Sequence, residues 1–266
     1  MIRVITTFIL AAGVLSAIWF LPLFPFQILL LIAIGIGLME YSKMVFAEKS
    51  TRFFTVFLGL LVAFLMTWSS SKELILAGLV ASVFLSFLWG MKHHQQMPET
   101  THHVGLMVLG ICYLSLTLPF WSWLKAEGRV WVMLCLFPAC LTDTFGFLVG
   151  KSLGRYKLAS IISPNKTWEG FFAGLIGGGI FGLWLASHLF LGQNFTSWPR
   201  LIVIGISVSV AAALGDLIES LIKRSVGVKD SSHLIPGHGG ALDRLDALTF
   251  SAPLFYFLLK WNNLLS

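Results

Sequence analysis

The sequence predicts an all-α, polytopic integral membrane protein of about nine transmembrane helices, with the N-terminus cytoplasmic and the C-terminus on the opposite side. Three observations predict it. Of 266 residues, 57% are hydrophobic, 14% aromatic and only 11% charged, and the mean hydropathy is +0.86, far outside the range of soluble globular domains. Apolar runs recur at the length of roughly 20 residues that a helix needs to cross about 30 Å of hydrocarbon, and the alternating pattern of barrel strands is absent. Lys and Arg, finally, divide unevenly between alternate loops, and the richer side stays cytoplasmic.

The expected spans are 4–21, 26–46, 53–70, 73–91, 104–124, 129–150, 169–190, 200–222 and 241–260. The first has no small-residue cleavage site followed by a soluble domain and is read as a retained helix. Arg3 precedes it, and Lys43, Lys49 and Arg52 separate the second span from the third. Lys72 stands between the third and fourth, Lys92 between the fourth and fifth, and Lys125 and Arg129 between the fifth and sixth. Lys151, Arg155, Lys157 and Lys166 fill the next loop, Arg200 the one after, then Lys223, Arg224 and Lys229, with Lys260 at the far end. Twelve of these cations fall on the side of the N-terminus and five on the other, and Arg244 joins the first group at the mouth of the ninth span. The net charge of +6 suits the anionic headgroups of a cytoplasmic leaflet; no nucleic-acid partner is expected. Cys112, Cys135 and Cys140 are odd in number, lie within spans and show no metal-ligand spacing, so they read as small core residues.

Acidic residues are few and placed together. In "AALGDLIESLIKR" Asp216, Glu219 and Ser220 stand at i, i+3 and i+4 and so project from one helical face. Asp243 and Asp246 repeat the i, i+3 spacing at the head of the ninth span. Asp143, in "ACLTDTFGFLVG", lies about seven residues from the inner end of its span, a depth of roughly 10 Å, and Asp216 is comparably deep. A carboxylate at such depth costs about 3 kcal/mol and calls for a partner. Arg244 and Lys223 could serve as structural ion pairs for two of the acids. A set of acids converging at one depth points instead to a bound metal ion.

The inner loops hold the complementary groups. "GKSLGRYKLASIISPNKTWEG" places Lys151, Arg155, Lys157 and Lys166 among glycines and hydroxyls, and "KRSVGVKDSSHLIPGHGG" contains Gly237, Gly239 and Gly240, which permit tight turns that present N–H groups to an anion. Cations, free amides and carboxylates able to hold Mg2+ are the parts that bind a polyphosphate.

Residues 220–246, "SLIKRSVGVKDSSHLIPGHGGALDRLD", resemble the long signature of the phosphatidate cytidylyltransferases (CDP-diacylglycerol synthases). "DTFGFLVGKSLGRYKLASIISPNKTWEG" resembles a second block of the same family, so the likeness covers roughly residues 130–250. Departures are mild: Ala241 stands where a larger aliphatic is usual, Gly146-Phe147 where Ala-Tyr is common, and Ser160 where Pro is common. The resemblance implies CTP and phosphatidate as substrates, CDP-diacylglycerol and pyrophosphate as products, a place in the cytoplasmic (inner) membrane, and a homodimer. With no fixed-period repeat, low-complexity tract or linker to a soluble domain, the chain reads as a single membrane domain over 1–266, helices 1–5 in 1–128, and the resemblance implies that helices 6–9 and their loops in 129–266 are the catalytic part. It also implies roles. Asp216, Asp243 and Asp246 would hold Mg2+, with a second cation such as K+, and Asp143 and Glu219 would be further ligands. Lys166, Lys223, Arg224, Lys229 and Arg244 would hold phosphates, Ser163, Asn165 and Thr167 would shape their loop, and His238, beside Gly239, would position a phosphate or a metal-bound water.

Other features are discounted. His93-His94 and His102-His103 read as an inner loop without convergence, "GLIGGG" (174–179) as close helix packing, and Trp19, Trp68, Trp121, Trp123 and Trp198 as interfacial anchors. Two rival functions use similar parts: a CTP-dependent lipid kinase, which would release CDP, and a transporter, which would place its polar site nearer the midplane.

Overall fold

A computed structural model of the chain describes residues 2–93, 97–191, 198–232, 234 and 239–265. The chain order is α1 (Ile2–Phe20), α2 (Leu23–Val45), α3 (Lys49–Trp68), α4 (Lys72–His93), α5 (Met97–Gly110), a π-helical turn (Ile111–Ser115), α6 (Phe120–Glu127), α7 (Arg129–Leu153), strands β1 (Lys157–Ala159) and β2 (Ser163–Thr167), α8 (Trp168–Gly174), a longer π-helical stretch (Leu175–Gly182), α9 (Leu183–Phe190), α10 (Trp198–Ser225) and α11 (Leu242–Trp261). Among the described residues seven helical spans are long and apolar enough to cross a membrane, with α5 to α6 counting as one, Pro98–Glu127, and α8 to α9 as another, Trp168–Phe190. The protein is an all-α, multi-pass membrane protein. Each expected span overlaps a helix.

Three local features depart from the expectation. The fifth span begins at Met97 rather than 104, so His102 and His103 lie within α5, where His103 Nδ1 meets the Glu99 carbonyl at 2.7 Å. His93 closes α4 and stacks on Trp89 at 4.0 Å, while His94 is outside the described residues. Second, the loop after α7 folds into an antiparallel hairpin, Lys157 opposite Thr167 and Ala159 opposite Ser163. Third, Cys135 alone of the cysteines is buried; Cys112 and Cys140 are exposed. Trp121, read as an anchor, is buried.

Packing divides the chain into two units. The first comprises Met1–Ser122 and Asp230–Leu242. In it α3 packs on α2 and α4, and the π turn on α2 and α3. Helix α4 shows the physics of a helix in lipid: Ser82, Ser86 and Gly90 are buried while Leu76, Val80 and Phe84 are exposed. Lipid is as apolar as leucine, so small residues that let backbones approach make the packing face. Gly110 is required in the same way, because a Cβ there would strike the ring of Tyr41, whose hydroxyl donates to the Leu106 carbonyl at 2.8 Å.

The second unit comprises Trp123–Lys229 and Asp243–Ser266. Here α7 packs on α8, on the long π stretch, on α9 and on α10. Gly174 and Gly178 abut Thr142 of α7, and Gly179 abuts Gly205 of α10, so the "GLIGGG" run is a packing surface. Thr142 Oγ1 donates to Ser209 Oγ at 2.7 Å and links α7 to α10.

Candidate active site

The site is built where α7, α10 and α11 meet. Ala139, Ala212 and Ala247, one from each helix, form a buried cluster. Gly215 extends the close contact, since a Cβ there would meet the Asp246 carbonyl. Small side chains bring the backbones together. One turn beyond Ala139 and Ala212 come Asp143 and Asp216, and next to Ala247 is Asp246. Asp143 is ten residues from the end of α7 and Asp216 nine from the end of α10, which is about 15 and 13 Å along the axis.

Carboxylate oxygens of Asp216, Glu219 and Asp246 all lie within 4.8 Å of one another. Two cations thread the acids. Lys166 Nζ, from β2, is 2.8 Å from Asp216 Oδ2 and 3.4 Å from the Ala213 carbonyl. Lys223 Nζ pairs with Glu219, one turn earlier on α10, and with Asp243 Oδ1 at 2.6 Å. Asp246 Oδ1 accepts from the Ala247 amide at 2.7 Å. Ser220 Oγ donates to Asp216 Oδ1 at 3.4 Å. Glu219 is 1% exposed, and its Oε1 has no hydrogen-bond partner among the described residues.

The expected residues are therefore sorted by the fold. Asp216, Glu219 and Asp246 come together, and Asp243 is joined to Glu219 through the Lys223 ammonium that both share. Asp143 is exposed and within electrostatic reach of Asp216, Lys166 and Arg244. Arg244 is exposed one residue past Asp243. Thr167 is buried and caps α8, its Oγ1 accepting from the Gly170 amide at 3.2 Å, a local structural task that its place in the motif did not announce. Glu169 completes the turn by accepting from the amides of Arg155 at 3.0 Å and Tyr156 at 3.2 Å. Ser163 opens β2 and Asn165 is exposed on it. Arg224 donates to the carbonyls of Ile162 at 3.4 Å and Val228 at 3.1 Å, joining two loops; Lys229 is exposed. Gly239 has φ +81°, a backbone that favours glycine. His238 lies outside the described residues.

The donor set fits a hard divalent cation. Oxygens bound at about 2.1 Å in an octahedron lie roughly 3 to 4 Å apart, so the observed cluster needs to contract only slightly. A buried carboxylate oxygen without a partner, Glu219 Oε1, is what an ion at this position would satisfy.

Of the acids the sequence reading passed over, one is buried among the described residues. Glu40 of α2, in the first unit, is 4% exposed and accepts four hydrogen bonds, from Ser231, Ser232, Ala241 and the first residue of α11, Leu242. A lone carboxylate in an apolar span was the available signal.

The chain was compared with known proteins. The phosphatidate cytidylyltransferase of Staphylococcus saprophyticus subsp. saprophyticus is 40% identical over 152 residues, 57% of this chain and 57% of that protein. The Staphylococcus aureus (strain COL) protein of the same name is 40% identical over 154 residues, again 57% of each chain, and that of Staphylococcus epidermidis 36% over 152. The match thus spans 57% of the length of these relatives. The model of the Cytidylyltransferase family, by contrast, matches residues 1–261, nearly the whole sequence, and the chain belongs to that family.

Proposed function

We propose that the protein transfers the cytidylyl group of CTP to phosphatidate, giving CDP-diacylglycerol and pyrophosphate for phospholipid synthesis. The observation that carries this is the cluster of Asp216, Glu219 and Asp246 interleaved with Lys166 and Lys223. The name shared by its relatives, phosphatidate cytidylyltransferase, supports the same substrates.

A phosphatidate oxygen attacks the α-phosphorus of CTP, a new P–O bond forms, and the bond from that phosphorus to the bridging oxygen of the β-phosphate breaks. The electron pair leaves with pyrophosphate. The attacking oxygen is already ionised, so no side chain has to remove a proton from it. What the site has to supply is alignment and relief of repulsion between anions. Asp216, Glu219 and Asp246 would hold Mg2+, with Asp143 and Asp243 nearby and a second cation such as K+ as a companion. When bound, the metal neutralises phosphate charge and stabilises the leaving pyrophosphate. Lys166 and Lys223, released in part from their carboxylates, then turn their ammonium groups to phosphate oxygens, and Arg244, exposed at the head of α11, adds a guanidinium.

The same proposal puts the chain in the cytoplasmic membrane, N-terminus inside and C-terminus outside, so that CTP reaches the site from the cytosol and phosphatidate along the bilayer. The family resemblance adds a homodimer. The test is purified protein in detergent micelles with phosphatidate and CTP labelled at the α-phosphate, with and without Mg2+. Label entering a lipid, with release of pyrophosphate and loss of turnover in EDTA, is expected. Label retained in CDP while the lipid gains an unlabelled phosphate would overturn cytidylyl transfer in favour of a kinase.

A further inference from the structure

Glu40 is buried near the end of α2, outside every motif that suggested the chemistry. Its two carboxylate oxygens divide their work symmetrically. Oε2 accepts from Ser231 Oγ at 3.2 Å and from the Leu242 amide at 2.8 Å. Oε1 accepts from Ser232 Oγ at 2.5 Å and from the Ala241 amide at 3.0 Å. Each oxygen therefore joins a hydroxyl at the start of the segment leading to α11 to an amide at its end.

We propose that Glu40 is a positioning residue for the transfer reaction: it ties the Ser231 and Ser232 hydroxyls to the amides of Ala241 and Leu242 and so fixes the first turn of α11. The physical reasons are local. The first amides of a helix have no partner within the helix, and a carboxylate both accepts from them and suits the positive end of the helix dipole. Leu242 is the first residue of α11, and the segment that Glu40 ties carries Gly240, where a Cβ would collide with Glu40 and Ser231. Glycine at this position lets the chain pass close over the carboxylate. Asp243 and Asp246 follow on the same helix. An N-terminal turn that frays would loosen both. This inference rests on the cytidylyl transfer proposed above.

The experiment pairs an activity-independent readout with kinetics. Glu40→Ala and Glu40→Gln are purified in detergent, and hydrogen exchange at the amides of 241 and 242 is followed by mass spectrometry beside kcat and KM for CTP. Gln retains one acceptor oxygen and turns an NH2 group toward the other pair, so it keeps about half of the network. Exchange at 241–242 is expected to accelerate by about tenfold or more in Glu40→Ala and less in Glu40→Gln. With it kcat falls by a similar factor in the same order, and KM for CTP stays within about twofold. Should Glu40→Ala fail to fold, the double variant Ser231→Ala, Ser232→Ala, which removes the two hydroxyl donors and leaves the carboxylate, reads the same quantities. Unchanged exchange overturns the clamp; faster exchange with unchanged kcat overturns its role in the reaction. A wild-type protein that turns over neither CTP nor phosphatidate refutes the function, while the exchange data still decide the clamp.

Discussion

Lys223 holds two carboxylates at once, and removing its charge gives a measurable imbalance. Its side chain is 11% exposed, against 1% for Glu219 and 10% for Asp243, so bulk solvent screens the three groups weakly. Lys223→Met keeps most of the apolar stem and removes the ammonium. Two nearly buried acids are left without their shared cation, and one of them, Glu219, already has an oxygen without a hydrogen-bond partner. Breaking a buried pair from one side costs about 3–5 kcal/mol. Taking the lower bound, because the lysine keeps a path to water, the Tm in detergent should fall by roughly 6–12 °C. The double variant Lys223→Met, Glu219→Gln removes one of the two stranded charges and should recover about half of that fall, whereas Lys223→Arg should stay near wild type. Thermal unfolding followed by tryptophan fluorescence measures all four proteins. Label transfer from CTP should be lost in both Met variants, because restoring charge balance does not restore a phosphate contact. A double variant no more stable than Lys223→Met alone would refute the pairing.

Three further outcomes follow from the site. Ala212→Leu adds bulk where Ala139 and Ala247 leave no room; overpacking of this kind costs about 1–3 kcal/mol, and a shift of about 1 Å between helices should lower kcat about a hundredfold, with Ala212→Ser as the control that retains turnover. Mg2+ should raise the Tm of the wild-type protein by preferential binding to the folded state, and Asp246→Asn should abolish that rise; a thermal shift that persists in the variant removes Asp246 from the ligand set. Thr167→Ala should lose about 1 kcal/mol, or some 2–4 °C in Tm, with the cap of α8, and Thr167→Ser, which keeps the hydroxyl, should match wild type by the same thermal scan.

The spans were legible because lipid imposes a crude and uniform demand: long apolar runs, with cations gathered on one side. The hairpin and the π-helical stretches answer to local packing. The eight residues Leu175–Gly182 contain four glycines, which marks a close approach but says nothing of an extra residue in the turn. At the site, helical periodicity put Asp216 and Glu219 on one face. It gave Asp243 and Asp246 equal standing, and there the sequence could have yielded more. The order along α10 is Asp216, Glu219, Lys223, and the partners met on α11 run the other way: Asp246 gathers with the first two, and Asp243 meets Lys223. Two antiparallel helices in contact must pair in this reversed order, so once the ninth span is taken to run against the eighth, the lysine one turn past Glu219 belongs opposite the earlier aspartate. Asp243 is thus drawn toward the cation by topology, while Asp246 gathers with Asp216 and Glu219. Glu40 offered no such route. Its partners stand 191 to 202 residues away, and no periodicity within α2 distinguishes a carboxylate awaiting a helix N-terminus from one paired with a neighbouring lysine. Only the return of the chain to α2 tells them apart.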